Sequence, residues 1–367
     1  MNGHPKKSSR SKSGGEAKAY VDPCVSEPIL DPTRPIIDPH HHLWDWRRFV
    51  AGMRPQCAYD NVLHRTPRYL LDELLADLES GHDIRATVHL ECGSMYRGSG
   101  ATEMTPVGET EFVNGIAAMG ASGTYGDRRP CAGIVGYADL TLGSRAAAVL
   151  EAHMAAGAGR FRGIRQSASY DADPDVLGYP SRRPQRLYRD AQFRAGFRSL
   201  APLNLSFDAW LLDPQLPDLI DLARAFPDSP ICLNHVGTPL GYGSYAGKRK
   251  DRFDIWRANI EALSECQNIY VKLGGLGMHY SGFPSLMAEP PASSVQLAEE
   301  WRPYIETCIE AFSPSRAMFE SNFPVDALTC SYATLWNAFK RITASYSSAE
   351  KHELFFGAAA RFYRLQV

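Results

Sequence analysis

Short runs rich in Val, Ile and Phe recur eight times along this chain, each followed by a longer amphipathic stretch. The runs at 36–43, 85–92, 131–138, 161–167, 205–211, 230–236, 269–275 and 317–322 read as strands. Apolar residues spaced three and four apart predict helices at 68–80, 109–119, 144–156, 187–200, 215–226, 253–265, 297–312 and 332–346, with a ninth at 348–363. Parallel strands need a crossover connection between them, and here each gap holds a helix of suitable length. Eight such units close into a (β/α)8 TIM barrel, an α/β fold, here a single domain with long βα loops. An open doubly wound sheet would carry a Gly-rich phosphate turn after its first strand. In its place this chain has His40-His41-His42-Leu43-Trp44-Asp45-Trp46.

The length of 367 residues suits one barrel of this kind, and 44% hydrophobic residues supply its core. A net charge of −2 excludes the strongly basic signature of a general nucleic-acid binder. No run of about 18 apolar residues predicts a membrane span. Residues 1–18 carry five Lys/Arg and one Glu with no apolar stretch, which is not a secretory signal. Residues 1–20 are read as a disordered basic tail and 21–367 as the barrel domain. None of the eight cysteines forms a Cys-x-x-Cys pair. This argues against a disulfide framework and a Cys-type zinc site, and favours a reduced, cytoplasmic compartment. The expected partner is a small molecule, with no nucleic acid and no membrane; a homo-oligomer is compatible with the composition.

Residues two apart on a strand share a face. His40 and His42 therefore point one way with Asp38 in phase below them, and His41 points the other. Two converging imidazoles are half of a divalent-metal site, or a pair of hydrogen-bonded bases. If helices demand an apolar outer face, the other strands turn Thr87, His89 and Glu91, then Arg165, Asp208, Lys272, Glu320 and Asn322 inward. His235 ends the sixth run at the barrel mouth. A barrel packed only for stability would show Val, Ile and Leu inside. The plain alternative is an internal ion-pair network, for example Lys272 with Glu320. Trp44 and Tyr96, with Tyr170 and Tyr280, follow strand ends and could line a pocket.

Asp38-Pro39-His40-His41-His42-Leu43-Trp44-Asp45, Phe161-Arg162-Gly163-Ile164-Arg165-Gln166, Leu233-Asn234-His235, Tyr270-Val271-Lys272-Leu273-Gly274-Gly275 and Phe319-Glu320-Ser321-Asn322-Phe323-Pro324 occur in this order over about four-fifths of the chain. The set resembles the amidohydrolase superfamily, and within it the amidohydrolase-related barrels that include lactonases for sugar acids and pyrone dicarboxylates. The resemblance implies His40, His42 and His235 as site histidines, which would also hold any metal, and Arg165 as the group that grips a substrate carboxylate or hydroxyl. It implies either one divalent ion, Zn or Mn, or a metal-free mechanism. The family's last strand usually carries Ser-Asp-Trp-Pro, whose Asp takes a proton from the attacking water. Here Asn322 stands at that position, and an amide is no general base. Glu320, Asp326, Glu91, His89 or His235 could take that role.

The expected reaction is hydrolysis of a lactone or similar cyclic ester of a small carboxylated or hydroxylated acid. His40, His42 and His235 would organise the carbonyl or a metal. Glu91, Asp208 or Glu320 would handle protons, and Arg165 and Lys272 would neutralise negative charge. His89, Trp44 and Tyr96 would complete the substrate contacts. Two alternatives are a metal-dependent non-oxidative decarboxylase of an aromatic acid and, motivated by Asn322, an inactive barrel that only binds a small ligand.

Overall fold

A computed structural model describes residues 27–55, 58–177 and 184–366. The tail at 1–20 falls outside these residues, as do Cys24 and Cys57. Eight parallel strands form one sheet: β1 Pro35–His41, β2 Asp83–Leu90, β3 Arg129–Gly136, β4 Phe161–Arg165, β5 Ser206–Ala209, β6 Ile231–Leu233, β7 Ile269–Leu273 and β8 Ala317–Phe319. They are hydrogen-bonded in that order. A helix follows each one: α1 Leu71–Leu78, α2 Val107–Ala121, α3 Ala146–Ala156, α4 Ala191–Phe197, α5 Leu216–Ala225, α6 Arg249–Ser264, α7 Ser294–Phe312 and α8 Tyr332–Ile342. This is the expected (β/α)8 TIM barrel. Several predicted strands are shorter than their apolar runs, because the last residues of those runs leave the ladder to form the mouth. No helix among the described residues is long and apolar enough to cross a membrane.

The seam between β8 and β1 closes just beyond the strand ends. Asn322 N–H donates to the His40 carbonyl, and His42 N–H donates to the Phe323 carbonyl, each at 2.8 Å. Asp38 locks the same seam: its carboxylate accepts from Ser321 N, Ser321 Oγ and the Tyr332 hydroxyl of α8. Burial raises Asp38 to about 6 against the pull of those bonds. Asp38 thus faces the helix layer, not the interior in phase with His40. The reason is a β-bulge: Asp38 pairs with Thr87, but His41 pairs with His89, so β1 carries one extra residue at Pro39–His40. That residue flips the alternation and turns His40 and His42 inward.

The phase expected for β2 is also reversed along the strand. Val88 and Leu90 face the interior with Ile37, Val135, Cys232 and Met318, while Thr87 bonds His41 Nε2 behind the wall. His89 sits there too, 3.4 Å from Glu109 of α2. The assumption of an apolar outer face fails because the interior itself receives an apolar plug. The C-terminal stretch, predicted as one helix at 348–363, runs through Ser348–His352, a π-helical turn Glu353–Gly357 and α9 Ala358–Phe362. Ala358, Phe362 and Tyr363 pack against Ile37, Val88 and Met318 and floor the barrel. Tyr363 donates from its hydroxyl to both Asp208 oxygens, at 2.8 and 3.0 Å. The helix layer outside is conventional: Phe319, fully buried, lies 4.6 Å from the rings of both Phe339 and Phe355. Burial of such a side chain stabilises the fold by about 1.5–3 kcal/mol.

Removing the Tyr363 hydroxyl leaves Asp208 with one donor fewer in a dry interior. Tyr363→Phe is expected to lower stability by about 1–3 kcal/mol in chemical denaturation. A pH profile is also expected. Burial holds His41 and His89 down at about 3, and His82, His153 and His279 at about 4. The unfolded chain takes up those protons below its ordinary 6.5, so this contribution is lost as pH falls from about 6.5 to 3. Asp326 and Glu109 move the other way, up to about 8 and about 7. Folded, they keep protons that the unfolded chain releases above about 4, so stability falls as pH rises towards 8. The two effects oppose each other between about pH 4 and 6.5. Denaturation midpoints should form a plateau there and decline from about pH 6.5 to 8, and Asp326→Asn should lessen that decline.

Candidate active site

The residues after each strand's C-terminal end build one cavity of about 660 Å³. Behind its wall stands a single carboxylate. Glu320, just past β8 and fully buried, reaches between two imidazoles. Its Oε2 lies 2.5 Å from His40 Nδ1, and its Oε1 lies 2.7 Å from His235 Nδ1. The His235 contact is a hydrogen bond, and a carboxylate oxygen only accepts, so His235 Nδ1 carries the proton. The tautomer follows: His235 Nε2 is left as an acceptor. His235 also donates its backbone N–H to the same Oε1, at 3.0 Å. It does so from a left-handed backbone, φ +56°, a conformation rare for a residue with Cβ and held here by Glu320.

Two glycines make room for this pair. A Cβ on Gly275 would lie 2.3 Å from His235 Nδ1, and one on Gly274 would lie 2.6 Å from Glu320 Cγ. The close approach of backbone to the imidazole and the carboxylate is what requires glycine at both positions.

Two cations flank His40. Arg165 Nη1 lies 3.3 Å from His40 Nε2, and Lys272 Nζ lies 3.4 Å from His40 Nδ1. Lys272 is fully buried and paired with Asp208 at 2.8 Å. Arg165 is paired with Glu91, at 2.7 Å through Nε and again through the Glu91 carbonyl. Burial first, then these cations and neighbouring imidazoles, pushes His40 well below the ordinary histidine range. Burial also lowers His235, against the opposing pull of Glu320. His42 bonds the Leu90 carbonyl through Nδ1 at 2.9 Å, so its Nε2 faces Asn322, 3.3 Å away. The Asn322 amide bridges on to Asp326, which also accepts from Gly277 N–H and thereby ties the loops after β7 and β8. Asn322 has φ +55°, a conformation Asn tolerates better than most residues.

Of the residues singled out from sequence, His42, Trp44, Glu91, Tyr96, Arg165, His235, Tyr280 and Asn322 line the cavity, and Tyr170 does not. His40 and Glu320 stand directly behind His235. Lys272 and Asp208 lie deeper, against the Tyr363 floor. His89 lies on the far side of the wall. Sequence reasoning missed Trp210, Tyr137, Asp139 and Gln166, which come from the loops after β5, β3 and β4. Trp210 lies under the Arg165 guanidinium at 5.6 Å. Their only sequence signal was a position just after a predicted strand.

Candidate metal ligands differ from the expected His40, His42 and His235. The ligand atoms close enough to share an ion belong to His40, His235 and Glu320, within 4.8 Å of one another. This N,N,O donor set fits a divalent ion by type.

The sequence profile of the amidohydrolase family matches residues 37–365. The uncharacterized protein y4mH of Sinorhizobium fredii is 36% identical over 338 residues, 90% of this chain and 98% of the relative. An L-fucono-1,5-lactonase of Burkholderia multivorans is 28% identical over 244 residues, 65% of this chain and 73% of the relative. A crystal structure of an amidohydrolase from Burkholderia multivorans with bound zinc superposes with a TM-score of 0.67 at 25% identity, covering 90% of this chain and 99% of the other. The match over nearly the whole barrel, on strands that carry the histidines, makes this chain a member of the amidohydrolase family.

Proposed function

We propose that this protein hydrolyses an uncharged lactone of a small polyhydroxy acid. The observation that carries the reading is the Glu320–His235 pair: a buried carboxylate fixes Nδ1–H and leaves Nε2 as a base on the wall of a solvent-open cavity. His235 Nε2 takes a proton from a water as its oxygen attacks the lactone carbonyl carbon. Glu320 steadies the imidazolium that results, as an acid partner does in other histidine-base sites. The proton then passes to the ring oxygen as the acyl carbon–oxygen bond breaks, and one hydroxy acid leaves. Arg165 has five N–H donors and commits three to Glu91 and His40, leaving two for the carbonyl oxygen as it gains charge. A divalent ion held by His40, His235 and Glu320 would take the place of the His235–Glu320 hydrogen bond and would itself supply polarisation of the carbonyl and a more acidic water.

The charge inventory supports an uncharged substrate. Arg165 is matched by Glu91 and Lys272 by Asp208, and Asp139 adds a further acid to the lining. Rings of Trp44, Tyr137, Trp210 and Tyr280 offer faces to a sugar-like ring, while Gln166 and Ser167 offer groups for its hydroxyls. The similarity to an L-fucono-1,5-lactonase supports the same chemistry.

The test is a pH-indicator assay over neutral sugar lactones beside dicarboxylated pyrones, with CO2 release followed on aromatic acids. Acid release from neutral lactones is expected to exceed that from the dicarboxylates by at least tenfold; the reverse preference, or CO2 alone, overturns the reading. Glu320→Gln and His235→Gln should each lower kcat by about 10²–10⁴ while circular dichroism stays unchanged. Unchanged kcat in both removes the pair from the chemistry.

A further inference from the structure

Behind the β2 wall lies a second group of ligand-type side chains outside this site. His89 is the penultimate residue of β2, Cys92 lies just past the strand, and Glu109 sits in the first turn of α2. Cys92 Sγ is 3.2 Å and His89 Nε2 is 3.4 Å from Glu109 Oε1. All three ligand atoms fall within 4.8 Å of one another. Ligands on one tetrahedral zinc, at about 2.0–2.3 Å from the metal, stand roughly 3.3–3.7 Å apart.

The polar accounting does not close without a ligand here. Neither His89 ring nitrogen makes a hydrogen bond, although that side chain is only 1% exposed. Glu109 is 2% exposed, and its Oε2 is also without a hydrogen bond. Its Oε1 is held by the Cys92 and Ser94 backbone N–H groups, which aims the carboxylate at the gap. A buried polar group left in this state is destabilising, and a bound cation relieves it.

We propose that His89, Cys92 and Glu109 form a second metal site for a zinc-class divalent ion. The fourth position falls to Glu109 Oε2 or a water. Cys92 borders the open cavity, which gives the ion an entry path. Binding breaks the Cys92 S–H bond and releases its proton to solvent, and the ion exchanges for that proton without any redox change. Because the thiolate and not the thiol is the ligand, loading should strengthen as pH rises. The absence of a Cys-x-x-Cys pair is no obstacle, since the set takes one ligand each from His, Cys and Glu.

Cobalt(II) reads the site directly, because a thiolate ligand gives an intense near-ultraviolet charge-transfer band that nitrogen and oxygen ligands do not. Full-length, chelator-treated protein is titrated with Co2+. The wild type should show the band, saturating with about one cobalt per chain. Cys92→Ser should abolish it. Glu109→Gln should weaken binding by more than the roughly 10–100-fold that loss of an outer-shell partner costs. Glu320→Gln should keep the band, because that carboxylate belongs to the sulfur-free cluster. The absence of a band at saturating cobalt, or its survival in Cys92→Ser, overturns the proposal.

Discussion

A fully buried carboxylate has to be neutralised where it lies, and in this barrel that demand falls on Glu320. Water cannot reach it, so its charge is met by the imidazole and backbone N–H groups of His235, with His40 close against its other oxygen. Much of the site's geometry descends from this requirement. His235 adopts a left-handed backbone to present both donors, and glycines at 274 and 275 remove the side chains that would collide with the arrangement. Arg165 and Lys272 then find places beside His40 because Glu91 and Asp208 stand ready to balance them. Each charge in the interior has a partner within about 3 Å, which is how such a polar core avoids the several kcal/mol that a lone buried ion costs.

Much of this was legible in the sequence. Alternation of period-two and period-3.6 patterns over eight repeats admits few architectures, and all eight barrel helices fall where the spacing puts them. His40, His42 and His235 could be named because histidines at strand ends are conspicuous among Val and Ile. Asp38 and His89 were misplaced for a common reason: alternation assumes an unbroken ladder and a known inner face. The bulge at Pro39–His40 breaks the ladder, and the apolar plug from α9 makes the inner face of β2 resemble an outer one. Neither fact is local to the strand concerned. Trp210, Asp139 and Gln166 were missed because a loop residue carries no periodicity to mark it.

The exchange of a strand-eight Asp for Asn322 looks, from sequence alone, like the loss of a base. The three-dimensional arrangement gives it a different meaning. A carboxylate is present two residues earlier, but it faces the histidines and not the cavity. From there the acid governs which imidazole nitrogen meets water. Asn322 meanwhile serves the seam, with its N–H on the His40 carbonyl and its amide on Asp326.

The Tyr363 hydroxyl on Asp208 has a temporal side. That tyrosine follows all eight strands along the chain, yet it completes the hydrogen bonding of an ion pair whose members sit on β5 and β7. During synthesis, all eight strands emerge before their floor does. A ribosome-bound barrel would therefore hold an unfinished polar centre, open from below, until the closing segment has cleared the exit tunnel.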